Sequence, residues 1–171
     1  MSNSLLEIER KFLLRQLPDD LDRDSGVAIR QGYLCDAGNR SVRLRQRGEH
    51  YFLTCKKGVG IVRDEAEVEI DKAQFQTLWP LTDGARVCKV RYRYPLSNGL
   101  EAELDVFEQM HAPLKLVEVE FADSTQARTF KPLAFFGPDV TTDSRFLNAT
   151  LAREGLPESW QALLDDAPAS P

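Results

Sequence analysis

Cysteine and histidine are scarce in this chain. The 171 residues include three cysteines and two histidines. Cys35, Cys55 and Cys88 are an odd number without CxxC spacing, which disfavours a disulfide framework or a zinc site and predicts a reducing cytoplasmic setting. His50 falls in a predicted turn and His111 in a predicted loop. We therefore expect no nucleophilic catalysis of the Ser-His-Asp or Cys-His type.

Long apolar runs and an excess of positive charge are also missing. The net charge of -5 argues against a general nucleic-acid binder, although it allows a local basic pocket. The apolar runs are too short for a membrane helix, and the charged start of the chain lacks the apolar core of a signal peptide. There is no GxxxxGK[ST] loop, so any phosphate site must be built from side chains. We expect no nucleic-acid or membrane partner.

Alternating apolar and polar residues dominate what is present. They predict strands over Leu5–Leu14, Val27–Cys35, Ser41–Arg47, Tyr51–Lys57, Val62–Ile70, Ala85–Pro95, Leu100–Glu108 and Leu114–Ala122. Helical spacing predicts helices over Asp71–Leu81, Ser124–Phe135, Ser144–Glu154 and Glu158–Asp165. The sequence thus predicts a single β-dominated α+β domain over residues 1–165, with a frayed tail at 166–171.

The first strand carries an unusual charged face. Glu7, Glu9 and Lys11 share one face, whereas Ile8 and Arg10 share the other. Two neighbouring carboxylates repel unless a cation lies between them, and an adjacent lysine suits a phosphate. We expect Arg10 at the exterior rim, because it shares the face of Ile8.

Similar charged rows recur along the chain and are largely segregated by sign. The rows are Arg43 with Arg45 and Arg47; Lys56; Arg63 with Glu65, Glu67 and Glu69; Lys89 with Arg91 and Arg93; Glu101 with Glu103 and Asp105; and Glu118 with Glu120. A solvated face explains any one row, but the whole set favours a closed sheet with a charged, wet lumen and helices packed outside. Cations bind phosphate oxygens and carboxylates bind Mg²⁺ or Mn²⁺, so the expected guest is a metal-bound polyphosphate.

In these motifs the chain resembles the CYTH, or triphosphate tunnel metalloenzyme, superfamily. The Glu7–Lys11 segment matches its ExExK signature, and Val140–Asn148 looks like the short bacterial branch. The other matching segments are Gln31–Leu34, Val42–Arg45, Thr54–Lys56, Arg63–Glu67, Lys89–Tyr92, Glu103–Phe107 and Glu118–Phe121.

The resemblance implies an eight-stranded closed antiparallel β-barrel, or tunnel, that binds a triphosphate with Mg²⁺ or Mn²⁺. It implies metal ligands at Glu7, Glu9 and Glu120, with Glu118 nearby, and a second metal or an oriented water at Glu65, Glu67, Glu103 and Asp105. It implies phosphate contacts from Lys11, Arg43, Arg45, Lys56, Arg63, Lys89 and Arg91, and from Arg145 at the tunnel mouth. Tyr33 is a further catalytic candidate or a structural tyrosine, and Arg47, Arg93, Glu69 and Glu101 are expected at the rim.

The function expected from this resemblance is metal-dependent hydrolysis of inorganic triphosphate. Three alternatives stay open: a class IV-type adenylyl cyclase, a non-catalytic polyphosphate or nucleotide binder, and a solvated β-domain without a ligand. The expected partner is a small triphosphate, and a homodimer is a further open alternative.

Overall fold

A computed structural model describes the backbone of residues 5–37, 39–58 and 62–166, and their side chains except at residues 5–7, 62, 63, 98 and 166. The strands in this part of the chain are β1 (Leu5–Leu14), β2 (Val27–Asp36), β3 (Arg40–Arg47), β4 (His50–Lys57), β5 (Val62–Ile70), β6 (Arg86–Pro95), β7 (Glu101–Phe107), β8 (Lys115–Glu120) and β9 (Phe136–Asp139). The α-helices are α1 (Lys72–Leu78), α2 (Ser124–Thr129), α3 (Asn148–Glu154) and α4 (Ala162–Asp166), and short 3₁₀ turns lie at Arg23–Ser25, Trp79–Thr82, Ser97–Gly99, Gln109–His111 and Ser144–Phe146.

The nine strands form one antiparallel sheet in the order β5-β4-β3-β2-β6-β7-β8-β1-β9. Strand β1 pairs with β8 through Glu9–Leu13. It also pairs with β5 through Leu5–Ile8, although β5 stands at the other end of this order. All eight predicted strands are present, with ends that shift by one or two residues, and the predicted β-dominated α+β class is confirmed.

One face of the sheet is apolar and is covered in two patches. On β1, β7 and β8, buried residues such as Phe12, Leu104 and Val119 pack against Phe136 of β9 and the segment around α2. On β3 and β4, Leu44 and Tyr51 pack against Phe75 of α1. This arrangement agrees with the prediction that the alternating apolar residues are covered by helices.

Helix α1 starts where its sequence predicts. The Asp71 carboxylate accepts a hydrogen bond from the Gln74 backbone N–H (2.8 Å), and the Gln74 side chain accepts one from the Asp71 N–H (2.9 Å). This capping box satisfies two backbone donors that the first helical turn leaves without partners. The cap fixes the start of the helix that delivers Phe75 to the sheet.

A third buried cluster lies on the opposite, charged face and was predicted wrongly. The predicted Ser144–Glu154 helix was expected to pack outside the barrel. Instead, Phe146 and Leu151 pack against apolar residues that continue the charged rows, Leu13, Val87, Phe107 and Leu116. Each of these four residues lies two positions along its strand from one of Lys11, Lys89, Asp105 and Glu118, and therefore points to the same side of the sheet. One end of the charged face is thus filled by apolar side chains.

The boundaries of all four predicted helices differ from the predictions. Helix α1 ends at Leu78 and is followed by the 3₁₀ turn at Trp79–Thr82, and α4 starts at Ala162 rather than Glu158. Helix α2 ends at Thr129 rather than Phe135, because Phe130 turns into the apolar cluster in an extended conformation, and its N-cap is Asp123 rather than Ser124. The predicted Ser144–Glu154 helix is a 3₁₀ turn followed by α3. Strand β9 was not predicted, and most of the predicted frayed tail lies outside the described residues.

Membrane-spanning helices are not a feature of the described residues. Within residues 5–37, 39–58 and 62–166, each helix is too short or too polar to cross a bilayer.

The packing of Phe146 can be tested by truncation. Phe146 is fully buried, so Phe146→Ala is expected to lower the free energy of unfolding by about 3–5 kcal/mol through lost burial and a residual cavity. Urea unfolding measures the change, with Leu81→Ala as a control because the Leu81 side chain is 71% exposed. A loss no larger than that of the control would show that the Ser144–Leu151 segment does not belong to the core.

Candidate active site

The charged face lines a cavity of about 1000 Å³ to which each of the strands β1–β8 contributes. Strand alternation produces this lining, since residues two apart on each strand point to the same side. Twelve of the residues predicted from the sequence come together here: Glu9, Lys11, Tyr33, Arg43, Arg45, Lys56, Glu65, Glu67, Arg91, Glu103, Glu118 and Glu120. The individual roles assigned to them stay predictions.

Arg91 is the centre of a dense ion network on β6, β7 and β8. Its Nε and Nη2 donate to both carboxylate oxygens of Asp105 (2.6 and 2.7 Å). Nη2 also donates to Glu118 (2.7 Å), and Nη1 donates to Glu103. Burial opposes the charge on Arg91, but the attraction of Asp105 and Glu118 more than offsets it and raises the pKa of the guanidinium well above its usual value.

Lys89 and Asp105 lie beneath the lining rather than in it. Both are almost completely buried, and the Lys89 ammonium donates to the Asp105 carboxylate. Burial lowers the pKa of Lys89 to about 8, and Asp105 offsets only part of this effect. Burial disfavours the Asp105 carboxylate too, yet Arg91 and then Lys89 hold its pKa below the usual value. Such a pair is better suited to fix Arg91 than to bind phosphate or metal directly.

Lys11 continues the network to β1. It lies opposite Glu118 in the β1–β8 register, and its Nζ is 2.9 Å from the Glu118 carboxylate. Burial opposes ionisation of Glu118, but Lys11 first and then Arg91 more than offset it, so its pKa lies well below the usual value. Glu118 is therefore a carboxylate shared between two cations.

On β3, β4 and β5 the opposite charges are more loosely paired. Arg43 lies 3.7 Å from Glu65 and Arg45 lies 3.6 Å from Glu67, whereas Lys56 approaches Glu65 to 2.5 Å. The Glu67 carboxylate also accepts a hydrogen bond from the Thr54 hydroxyl (2.7 Å). Glu67 is thus oriented by a neutral donor and a cation together.

This half of the cavity contains two buried donors that need an acceptor. The Nε–H groups of Arg43 and Arg45 have no hydrogen-bond partner among the residues that the structure describes. Burial and the neighbouring Arg43 lower the pKa of Arg45 to about 10, which keeps its guanidinium protonated at neutral pH. Buried unsatisfied donors are rare, and a bound oxyanion would supply their acceptors.

Tyr33 lies deep beside these arginines. Its hydroxyl accepts a hydrogen bond from the amide of Gln31 (3.1 Å), a buried neighbour that was assigned no role from the sequence. Burial raises the pKa of the Tyr33 phenol, and Arg43 opposes this effect. Tyr33 is therefore a neutral phenol at ordinary pH, able to donate one hydrogen bond into the cavity.

Glu9 and Glu120 are two of the carboxylates predicted from the sequence as metal ligands. They are direct cross-strand partners of β1 and β8, and both line the cavity. Among the described residues no group of three or more His, Cys, Asp or Glu is arranged to hold a metal ion. The third expected ligand, Glu7, has a side chain outside the described set; its backbone pairs with Arg63, another predicted contact whose side chain is not described.

Other predicted residues lie away from the cavity or at its rim. Arg145 was expected at the tunnel mouth, but its guanidinium binds Asp143 (2.6 Å) at an exposed site. Arg47, Arg93 and Glu101 do line the cavity, whereas Glu69 binds His50 in an exposed pair. These placements agree with the rim prediction.

Arg10 lies on the apolar side of β1, as expected. It binds the Asp139 carboxylate (2.6 Å) and the Ala127 carbonyl (3.0 Å). It thereby links β1 to β9 and α2, away from the cavity.

The C-terminal segment contributes a wall that was not assigned from the sequence. Its lining residues are Thr141, Thr142, Ser144, Leu147, Asn148 and Ala149. The Lys11 N–H donates to the Thr141 hydroxyl (3.0 Å), and the Val140 N–H donates to the Lys11 carbonyl (2.8 Å). The resemblance of Val140–Asn148 to the short bacterial branch was the available signal, because alternation does not extend into this segment.

The fold and the cavity define an antiparallel-sheet protein with a mixed-charge site suited to a polyanion. The family model for the CYTH domain matches residues 5–132, and the chain belongs to this family. The family assignment made from the ExExK signature is therefore confirmed.

Similar proteins of known function are of comparable length. The chain is 46% identical to an inorganic triphosphatase of Nitrosomonas europaea, in a match that covers 86% of this chain and 97% of the relative. It is 32% identical to an inorganic triphosphatase of Acetivibrio thermocellus, over 86% and 93% of the two chains. A crystal structure of an inorganic triphosphatase matches with a TM-score of 0.68 at 44% identity, over 90% of this chain and 98% of that one.

The ion pairs of Glu118 predict a specific pH dependence of stability. The pKa of Glu118 is lower in the folded than in the unfolded chain, so the unfolded state takes up more protons as the pH falls below about 4.5. The stabilisation that Glu118 provides is complete above that pH and is lost on acidification. We expect Glu118→Gln to be less stable than wild type at neutral pH, and this difference to shrink in acid.

Urea unfolding across the pH range measures this difference. The exposed Glu69→Gln serves as the control for a carboxylate whose pair is solvated. A Glu118→Gln deficit that stays constant down to strongly acidic pH would contradict the assignment.

Proposed function

We propose that this protein hydrolyses inorganic tripolyphosphate in a reaction that requires a divalent metal. The observation that carries the proposal is the pair of buried Nε–H donors of Arg43 and Arg45, which lack acceptors among the described residues in a cavity of about 1000 Å³. A chain of phosphate groups offers oxygens for both. The activity named for the relatives at 46% and 32% identity supports the same substrate.

We also propose that β1–β8 close into a tunnel around this cavity. The support is the double pairing of β1, which bonds to β8 along one half and to β5 along the other. Closure leaves no free sheet edge among these eight strands. A polyphosphate would then be surrounded by charged side chains from all of them.

The proposed metal is Mg²⁺ or Mn²⁺, held by Glu9 and Glu120, with Glu7 as a further ligand. Carboxylate oxygens are the ligands that both ions prefer, and Glu9 and Glu120 lie directly opposite each other in the β1–β8 register. When bound, the ion neutralises phosphate oxygens and polarises the phosphorus that is attacked.

The side chains on β1, β3 and β4 would stabilise the transition state. Lys11, Arg43, Arg45 and Lys56 lie around one cavity and can share the negative charge that moves toward the leaving phosphate. The neutral phenol of Tyr33 adds a hydrogen-bond donor at its deep end. Such groups act by fixed placement, so no covalent intermediate is required.

A carboxylate on β5 would orient the attacking water. Glu67 is the better candidate of the two predicted, because the Thr54 hydroxyl holds one of its oxygens at 2.7 Å and the Arg45 guanidinium is farther away at 3.6 Å. Glu65 is engaged more closely, by Lys56 at 2.5 Å.

A cytoplasmic location accords with the free, exposed thiols of Cys35 and Cys55.

The substrate assignment is tested by measuring products. Purified protein with Mg²⁺ or Mn²⁺ is expected to release phosphate from tripolyphosphate much faster than from ATP. Malachite green detects the phosphate, and chromatography of the nucleotides detects cyclic AMP. Formation of cyclic AMP from ATP would favour the adenylyl cyclase alternative, and tight binding of tripolyphosphate without turnover would favour a non-catalytic binder.

Two substitutions separate metal binding from substrate binding. Glu9→Gln is expected to abolish turnover without unfolding the chain, since it removes a proposed metal ligand. Arg45→Ala is expected to weaken substrate binding by roughly 1.5–3 kcal/mol, or about 10- to 150-fold, through the loss of a charge-assisted hydrogen bond. Arg128→Ala on α2, at an exposed position, is the control. Full activity of Glu9→Gln would refute the metal assignment.

A further inference from the structure

A buried glutamine lies beside the tyrosine that faces the cavity. Gln31 and Tyr33 lie next but one to each other on β2 and therefore point to the same side of the sheet. Tyr33 lines the cavity, whereas Gln31, which is 1% exposed, lies beneath the lining. The Gln31 amide donates a hydrogen bond to the Tyr33 hydroxyl at 3.1 Å. Gln31 is thus placed to act on a ligand in the cavity through Tyr33.

The packing around Gln31 does not by itself require an amide. Its cross-strand partners are Arg45 on β3 and Val87 on β6, and Val87 belongs to the same buried apolar cluster as Tyr33. Burying an amide costs free energy unless its hydrogen bonds are made. A methionine of similar length would fill this position without that cost. The contact with the Tyr33 hydroxyl is therefore the feature that a glutamine adds here.

The hydrogen bond from Gln31 restricts where the Tyr33 hydroxyl can donate. A phenol oxygen carries one hydrogen and accepts through its lone pairs, whereas an amide N–H can only donate. Gln31 therefore occupies an acceptor position of the oxygen. Burial raises the pKa of the phenol, and the charge and hydrogen bond of Arg43, directly opposite Tyr33 in the β2–β3 register, oppose that rise. Both neighbours act as donors, so the hydroxyl hydrogen needs an acceptor elsewhere.

A phosphate oxygen in the cavity is an acceptor that fits this arrangement. Tyr33 shares the lining with Arg43 and Arg45, whose buried Nε–H groups need acceptors of their own. A polyphosphate that meets these guanidinium groups offers further oxygens to a neighbouring hydroxyl. Hydrogen bonds to charged oxygens are stronger than those between neutral groups, so the direction of the Tyr33 hydrogen affects how well the substrate is stabilised.

We infer that Gln31 is a positioning residue that holds the Tyr33 hydroxyl as a hydrogen-bond donor to a phosphate oxygen of the substrate. This inference rests on the proposed function and deepens it, because it assigns a role to a side chain beneath the cavity lining. Gln31 acts through the oxygen of Tyr33. Its effect on the reaction must therefore disappear when that oxygen is removed.

A double-mutant cycle on tripolyphosphate hydrolysis at saturating Mg²⁺ tests this dependence. Tyr33→Phe is expected to lower kcat/KM by at least about tenfold, and Gln31→Met by at least about fivefold. In the Tyr33→Phe background, Gln31→Met is expected to cost less than about twofold more. Gln46→Met is the matched control, because the Gln46 amide donates to the Gly48 carbonyl (2.8 Å) on the other face of the sheet, and it is expected to keep wild-type kcat/KM.

A second substitution checks the direction of the hydrogen bond. Gln31→Glu keeps the length of the side chain but replaces the amide donor with an oxygen that accepts. It would draw the Tyr33 hydrogen away from the cavity, so its loss in kcat/KM is expected to be at least as large as that of Gln31→Met. Wild-type kcat/KM in Gln31→Glu or in Tyr33→Phe overturns the inference. Equal losses from Gln31→Met with and without the Tyr33 oxygen overturn it too.

A spectroscopic comparison reports on Tyr33 without turnover. In protein labelled with ¹³C at the tyrosine Cζ, the Tyr33 signal is the one that Tyr33→Phe removes. Gln31→Met is expected to shift this signal and Gln46→Met to leave it in place. Saturating tripolyphosphate without metal is expected to shift it in wild type, a measurement that does not depend on the folding of any Gln31 variant. A Tyr33 signal that does not respond to tripolyphosphate overturns the inference.

The two proposals fail in different ways. Hydrolysis of tripolyphosphate with equal Gln31→Met losses in both backgrounds contradicts the role of Gln31 and leaves the proposed function standing. Tripolyphosphate that binds and shifts the Tyr33 signal but is not hydrolysed contradicts the proposed function. The cycle is then measured on the dissociation constant by calorimetry, where a Gln31→Met loss confined to the background with the Tyr33 oxygen supports the role of Gln31 and equal losses refute it.

Discussion

The pairing of Arg91 with Asp105 is the interaction on which the rest of the charged face depends. Removing ions from water costs several kcal/mol each unless their partners are close and well oriented. Asp105 is fully buried, and it is kept ionised by Arg91 and Lys89 together. Without that pair, β6 and β7 would hold buried charges that lack a close partner of opposite sign.

This constraint divides the cavity into two unlike halves. On β6, β7 and β8 the cations and carboxylates pair with one another at short distances. The charges of this half of the cavity therefore neutralise one another. On β3, β4 and β5 the Arg43 and Arg45 guanidinium groups lie 3.6–3.7 Å from their nearest carboxylates and retain buried donors without described acceptors. Under the proposed function, the polyanion would therefore bind in the second half, and the first half would support that site.

The sequence predicted which residues face the cavity far better than how deep they lie. Alternation alone put Glu9 and Lys11 on one face of β1 and Arg10 on the other, because side-chain direction in a strand is a local property. It could not separate Lys89 from Arg91, which share a face, since their depth depends on Val87 and Phe107 and on the C-terminal residues packed against them. Nor could it show that Arg91 meets Asp105, because cross-strand register is set by the whole sheet.

The errors in predicting β9 and the end of α2 also arise because contacts across the fold cannot be seen in local sequence. Strand β9 has no alternation to detect in Phe136-Gly137-Pro138-Asp139; it is a strand because it pairs with Phe12 and Leu14 of β1. The helix expected through Phe135 stops at Thr129 because Phe130 packs beside the Phe12 and Phe121 rings. In each case a contact with a distant part of the chain overrode the local preference.

The segment beyond the family match shows why the charged rows do not define the site alone. The CYTH match ends at residue 132, yet six lining residues come from positions 141–149. Thr141 binds the backbone of Lys11, and the Asn148 amide oxygen lies 3.4 Å from the Lys89 ammonium. Phe146 and Leu151 belong to the buried apolar cluster that includes Phe107, two residues beyond the buried Asp105 on β7. Because a buried ion pair strengthens as water is removed, the C-terminal segment sets the strength of the network that orients Arg91. The rows supply the charges, and the segment after them determines how strongly those charges act on one another.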